Sequence, residues 1–251
     1  MRSEPIVVSY GMGLDSTAML VEMHNRGMRP DLILFSDTGA EKPATYAYLP
    51  VINRWLESVG FPLVTVVKYQ PTRANYSTLE EKCFENEVLP SLAYGMHQCA
   101  LIFKRDTQVK YLKAWQPALD AIERGQRIVQ CIGYDDSTAD RKRAAKSRRT
   151  HDAMRAKIRA RIAEGKKLLA DQWQIGNSEF VYLLQDWGLE RDALAQRRHL
   201  GGCEYLAELG LPRKHDLEQL LRVRLEVREE ADLLEDRAVQ VLGLVDDEET
   251  V

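Results

Sequence analysis

The stretch Pro5-Ile6-Val7-Val8-Ser9-Tyr10-Gly11-Met12-Gly13-Leu14-Asp15-Ser16-Thr17 constrains the fold more than any other part of the chain. Its β-branched run Ile6-Val7-Val8 reads as a buried strand. A turn with two glycines follows, and Asp15-Ser16-Thr17 then leads into Ala18-Met19-Leu20-Val21-Glu22-Met23, an apolar helical start. Strand, glycine turn and helix N-terminus together make an anion cradle. Gly11 and Gly13 let the backbone approach a ligand closely, and the first-turn N–H groups have no acceptor inside the helix. Phosphate is the default guest of such a cradle.

Several loop types compete for the stretch. A Gly-x-x-x-x-Gly-Lys-Ser/Thr phosphate loop needs a lysine at the helix start, and none stands there. A dinucleotide loop, Gly-x-Gly-x-x-Gly, lacks its third glycine here, although Asp37 is well placed to be the acid that ends the second strand. The pyrophosphate loop, Ser-x-Gly-x-Asp-Ser, is matched by Ser9, Gly11, Asp15, Ser16 and Thr17, with one extra residue between Gly11 and Asp15. On those residues the stretch resembles the adenine nucleotide alpha hydrolase superfamily. An aspartate at the helix start would repel a dinucleotide pyrophosphate but suits a loop that also holds magnesium. A glycine turn without a ligand is the plain structural alternative.

Downstream, residues 31–36 read as a second strand, and Pro43 suits the first turn of a following helix. Tyr46, Leu49, Ile52, Trp55 and Leu56 recur at helical spacing and read as core. Leu63-Val64-Thr65-Val66-Val67 is a third strand, residues 127–133 a fourth, and Phe180-Val181-Tyr182-Leu183-Leu184 a last one. This alternation predicts an α/β fold with a doubly wound, mainly parallel sheet, Rossmann-like, with ligands at the strand C-terminal ends. Gly11 to Asp15 and Asp37 to Glu41 both fall at such ends.

The resemblance extends beyond one loop. Phe35-Ser36-Asp37-Thr38-Gly39-Ala40-Glu41-Lys42-Pro43 is similar to the second block of the phosphoadenosine phosphosulfate reductase family. So are Leu89-Pro90-Ser91-Leu92-Ala93-Tyr94-Gly95-Met96-His97-Gln98-Cys99 and the Phe103-Lys104 after it. The likeness covers residues 5–142, with an echo at Tyr182-Leu183-Leu184-Gln185-Asp186-Trp187-Gly188 and Arg191. It implies an adenine-nucleotide site in which Ser9, Tyr10, Gly11, Gly13, Asp15, Ser16, Thr17, Asp37 and Thr38 bind the nucleotide. It further implies Asp15 and Asp37 as magnesium ligands, Lys104 and Arg141 as phosphate contacts, and ATP with Mg2+ as cofactors. The reaction expected is attack by an acceptor oxygen on the α-phosphate, helped by Asp15, Lys104 and Arg141, with release of pyrophosphate.

The departures are equally informative. Reductases of the family carry a reactive cysteine near the C-terminus, often beside cysteines that hold an iron–sulfur cluster. Here the four cysteines, Cys83, Cys99, Cys131 and Cys203, are scattered, so no cluster, zinc module or disulfide framework is expected. Cys83, Cys131 and Cys203 read as small buried hydrophobes, and Cys99 is the candidate thiol because it sits in a motif. Two rival readings stay open: a reductase using Cys99 or Cys203, and a non-catalytic module that binds nucleotide or nucleic acid. The histidines His24, His97, His151, His199 and His215 show no metal-ligand spacing.

Charge is distributed unevenly over the 251 residues. Residues 141–167 hold twelve Lys or Arg and two acids, with a thin apolar stripe of Met154, Ile158 and Ile162 continuing to Leu169. This reads as a helix that is either a solvated face or a grip on a nucleic-acid backbone. Asp135 and Asp136 before it could reach a metal or cap the helix. Acids Glu226, Glu229, Glu230, Asp232, Glu235 and Asp236 offer a third role for the cations, pairing within the chain or between copies in a homo-oligomer. The expected organisation is one nucleotide-binding domain over 1–190 and a helical extension over 191–251 with an acidic tail. No apolar run approaches the length of a membrane span, residues 1–9 read as strand rather than signal peptide, and a cytoplasmic location is expected.

Overall fold

The computed structural model describes residues 4–88 and 100–190. Strands form where apolar runs can be covered on both sides: β1 (Ile6–Tyr10), β2 (Leu32–Asp37), β3 (Val64–Lys68), β4 (Ile128–Ile132) and β5 (Ser178–Val181). They make one all-parallel sheet in the order β3-β2-β1-β4-β5. On one face Val8, Tyr10, Ile33, Phe35 and Cys131 pack on α1 (Leu14–Asn25) and α2 (Pro43–Ser58) through Met19, Leu20, Ile52, Trp55 and Leu56. On the other, Val7, Leu32, Leu34 and Ile128 meet Leu112 of α4 (Thr107–Leu112) and Ala118 of α5 (Gln116–Glu123). Two covered faces explain the near-continuous apolar character of β1 and β2, and they make the expected doubly wound α/β architecture.

Between β3 and β4 the chain builds α3 (Leu79–Asn86), the π-helix Ala100–Asp106, α4 and α5. It then returns past β1, so that Val7 is in register with Leu32 on one side and Gln130 on the other. The C-terminal ends of β1 and β4 therefore flank the point where the winding reverses, the usual ligand crevice of such sheets. Beyond β4 come α6 (Thr138–Ala163), α7 (Ala170–Asn177), β5 and the short α8 (Leu183–Asp186).

The structure corrects four sequence expectations. The last strand runs Ser178–Val181, and Leu183 and Leu184 belong to α8. The ladder to β4 ends at Cys131↔Val181, and both leucines bury in the core as helix residues instead. The basic helix starts before Arg141, because the Ser137 side chain caps it by accepting from the Asp140 N–H. It ends before Lys167, where Gly165 turns left-handed at φ +67°. Its apolar stripe is shorter than expected: Ile158 is buried beside Gly176 of α7, while Ile162 and Leu169 are each 59% exposed. Tyr46 is not core, since it is 40% exposed with its hydroxyl on Asp37. The expectations for Leu89 to Cys99, including His97 and the thiol of Cys99, and for Arg191, Cys203 and the extension over 191–251 lie outside the described residues.

Candidate functional site

The loop after β1 has the shape its glycines suggested. Gly11 and Gly13 are exposed, and a Cβ on Gly13 would meet no atom within 4 Å. Met12 between them is buried yet adopts φ +54°, a conformation non-glycine residues avoid and functional loops tolerate. Gly13 caps α1 in extended conformation without side-chain help. Its carbonyl accepts from the Thr17 N–H at 3.1 Å, the Ser16 hydroxyl at 3.2 Å and the Thr17 hydroxyl at 2.9 Å. The two hydroxyls thus brace the turn. Asp15 stands half-buried in the first helical turn, where a carboxylate also favours the helix dipole.

Gly133, after β4, closes the other wall of the crevice. A Cβ there would lie 3.0 Å from both the N and Cα of Ser16, so the two backbones meet in a contact that a side chain would crowd. The sequence reads Gly133 as the last residue of a strand and by itself gives no sign of its contact with Ser16. Its only signal was a glycine at a strand terminus beside a switch point, which is legible once the strand order is known.

Two of the expected nucleotide ligands turn their side chains elsewhere. Tyr10 is buried, with its hydroxyl 2.9 Å from that of Thr17. Burial, reinforced by Tyr48, pushes its phenol well above the usual range. The Ser9 hydroxyl donates to Gln108 of α4 at 3.1 Å and accepts from Gln130 of β4 at 3.1 Å; Gln130 in turn accepts from Gln174 of α7 at 3.0 Å. The glutamine network had no counterpart in the sequence reading, because glutamines far apart in sequence carry no spacing signal.

The loop after β2 is a second, tightly built unit. Asp37 is 4% exposed. Its Oδ1 accepts from the Gly39 N–H at 2.8 Å and the Tyr46 hydroxyl at 2.7 Å, and its Oδ2 lies 3.0 Å from Lys68 Nζ. Burial pushes the carboxyl up, but these partners outweigh it and hold it below the ordinary aspartate value. Burial and the carboxylate push Tyr46 up to about 12. The buried Thr38 hydroxyl donates to Glu41 at 3.2 Å, and the Thr38 carbonyl accepts from Leu79 N–H at 2.8 Å, which docks α3 on this loop. Gly39, at φ +71°, has Thr78 so close that a Cβ would fall 2.3 Å from its methyl group.

Lys104 reaches this loop from the π-helix. Its Nζ is 3.4 Å from Glu41 Oε1, and its carbonyl accepts from the Ser36 hydroxyl at 3.3 Å. The chain thus brings Lys104 to the Asp37–Glu41 side of the crevice. Arg141 is held differently, by both oxygens of Asp136 in a bidentate pair with Nε–Oδ1 at 2.6 Å. It shares no partner with Lys104. Of the two acids before α6, Asp135 accepts from the N–H and hydroxyl of Ser137, so the capping role is the one the geometry supports. Among the described residues no three His, Cys, Asp or Glu gather as a metal centre. Cys131 is fully buried, which drives its thiol up to about 12, while Cys83 is half-buried.

No described helix is long and apolar enough to cross a membrane. No protein-family model matches the chain, and no curated protein matches it significantly.

Proposed function

We propose that the chain binds ATP with its phosphates over Gly11 to Thr17 and transfers the adenylyl group to an acceptor oxygen. The observation that carries this reading is the open, glycine-lined helix N-terminus at the switch point of the sheet, with the Lys104 loop on its β2 side. The acceptor oxygen would form a bond to the α-phosphorus while the bond to the bridging oxygen breaks. The electron pair leaves on pyrophosphate. Amides of the first turn and Lys104 would stabilise that charge. Magnesium needs only one or two carboxylates beside the phosphates, and Asp15 is the residue positioned to supply one. When bound, the ion would neutralise the phosphates. Asp37, whose oxygens already serve Gly39, Tyr46 and Lys68, would act by fixing the loop that carries Thr38 and Glu41.

A nucleic-acid acceptor has its own support. Of the ten cations of α6, Arg141, Arg143 and Arg155 are paired with carboxylates, leaving seven without such a partner among the described residues. A basic helix of this kind suits a phosphate backbone.

The test is pyrophosphate release with ATP and magnesium, together with calorimetric ATP binding. Asp15→Ala and Ser16→Ala should each abolish magnesium-dependent binding while the far-ultraviolet dichroism stays that of the wild type. Equal ATP affinity in all three proteins would refute the site. Reversing Arg148, Arg149 and Arg159 to Glu should remove duplex or transfer-RNA binding and leave ATP affinity intact; absence of any such binding at low salt refutes the acceptor class.

A further inference from the structure

A cavity beside the end of β4 has no role in the reading above. It encloses about 330 Å³ under α6, between α7 and the ends of β4 and β5. That is the lower end of the roughly 300–1,000 Å³ range of small-ligand sites. Its lining is aromatic and polar together. Tyr134 lies flat on Tyr182, with ring centroids 5.4 Å apart and an interplanar angle of 10°. The Arg148 guanidinium stands 4.9 Å over the Tyr182 ring. Phe180 and His151 form another ring pair, at 4.4 Å. Around these planes stand Ser147, Asp171 and Arg105, whose Nε and one terminal nitrogen each lie 2.8 Å from Asp106 Oδ1.

Position makes this cavity more than a surface dent. Ile132 and Tyr134 both line it, and Gly133 between them is the residue packed on Ser16. One glycine therefore separates the cavity from the first turn of the phosphate loop. Stacked rings select planar ligands, an aspartate accepts from ring or exocyclic N–H groups, and an arginine answers an attached phosphate.

We propose that this cavity seats a nucleobase of the acceptor, stacked against the Tyr134 and Phe180 rings with its phosphate at Arg105. The inference rests on the adenylyl-transfer reading and gives the acceptor a chemical class. The base could belong to a free nucleotide or to a strand lying along α6.

The test uses the full chain in calorimetry with a panel of nucleoside monophosphates and a short single-stranded oligonucleotide. Each is titrated with and without a saturating non-hydrolysable ATP analogue and magnesium. At least one probe should bind in both conditions. Phe180→Leu and Arg105→Gln should each weaken that binding by roughly fivefold or more, as loss of a stacking platform or phosphate contact does, while the affinity for the ATP analogue stays unchanged. Binding of a monophosphate identifies a free nucleotide, and binding of the oligonucleotide alone identifies a strand. The proposal is overturned if no probe binds, if the analogue competes with the probe, or if both variants bind the probe as the wild type does. Failure of the analogue itself to bind would overturn the parent reading, and the titrations without it would still decide the cavity.

Discussion

Gly133→Ala tests the junction between β4 and the phosphate loop. The added methyl would sit 3.0 Å from Ser16 N and Cα and 3.2 Å from its Cβ, and two of those three atoms are backbone that cannot rotate away. No left-handed φ is involved at Gly133, so contact alone sets the cost. Overpacking of this size costs about 1–3 kcal/mol. In urea unfolding the midpoint should fall with an unchanged slope, since the surface exposed on unfolding is the same. Gly125→Ala separates the two causes: it meets nothing within 4 Å but sits at φ +72°, so it should lose about 1–2 kcal/mol from conformation alone. The distinguishing readout is phosphate binding. Gly133→Ala must push the start of α1 and weaken ATP binding, whereas Gly125→Ala leaves it alone. A Gly133→Ala protein within 0.5 kcal/mol (about) of the wild type and binding ATP equally would show that the two backbones do not meet as described.

Two further outcomes follow from the buried polar groups. Gln130→Leu should cost about 1–3 kcal/mol, because it leaves the buried Gln174 amide without its acceptor, and Gln130→Leu with Gln174→Leu should recover part of that loss; an undiminished cost in the double variant refutes the account. Asp37, held below its ordinary value when folded, contributes stability that is complete above the unfolded aspartate value and lost as pH falls through the folded one. Asp37→Asn should flatten the acid limb of the stability–pH curve, and an identical limb in both proteins would refute it.

The sequence carried the fold because its signals were local and repeated. Alternating strand and helix runs, with glycines at their junctions, are written in neighbouring residues, and the all-parallel sheet follows from them. The β1 loop was legible for the same reason: Gly11, Gly13 and Asp15 lie within one turn of chain. What escaped depended on distance. Tyr46 fitted the helical stripe of α2 as well as any core residue, and only the bend of the β2 loop reveals that its hydroxyl meets Asp37. Position 182 fell inside an apolar run that reads as strand, yet β5 stops at Val181 and Tyr182 becomes the N-cap of α8, although β4 continues to Ile132. Ser9 and Gln130 sit on strands whose mutual register, not their sequence neighbours, makes them partners.

Arg141 shows where spacing misleads in a more useful way. An arginine just after a strand end, following two aspartates, is the pattern expected of a phosphate contact, and the same pattern builds an ion pair across the start of a helix. Asp136 takes one guanidinium edge, Nε and a terminal nitrogen, and Asp136 itself is anchored through its N–H to the Leu189 carbonyl at 2.9 Å. The Arg141 side chain is 61% exposed, so a phosphate can meet its second edge without displacing Asp136. Under the adenylyl-transfer proposal a polyanion would therefore meet Arg141 with its Asp136 pair intact, whereas Lys104, 3.4 Å from a single oxygen of Glu41, would have to turn from one oxygen to another.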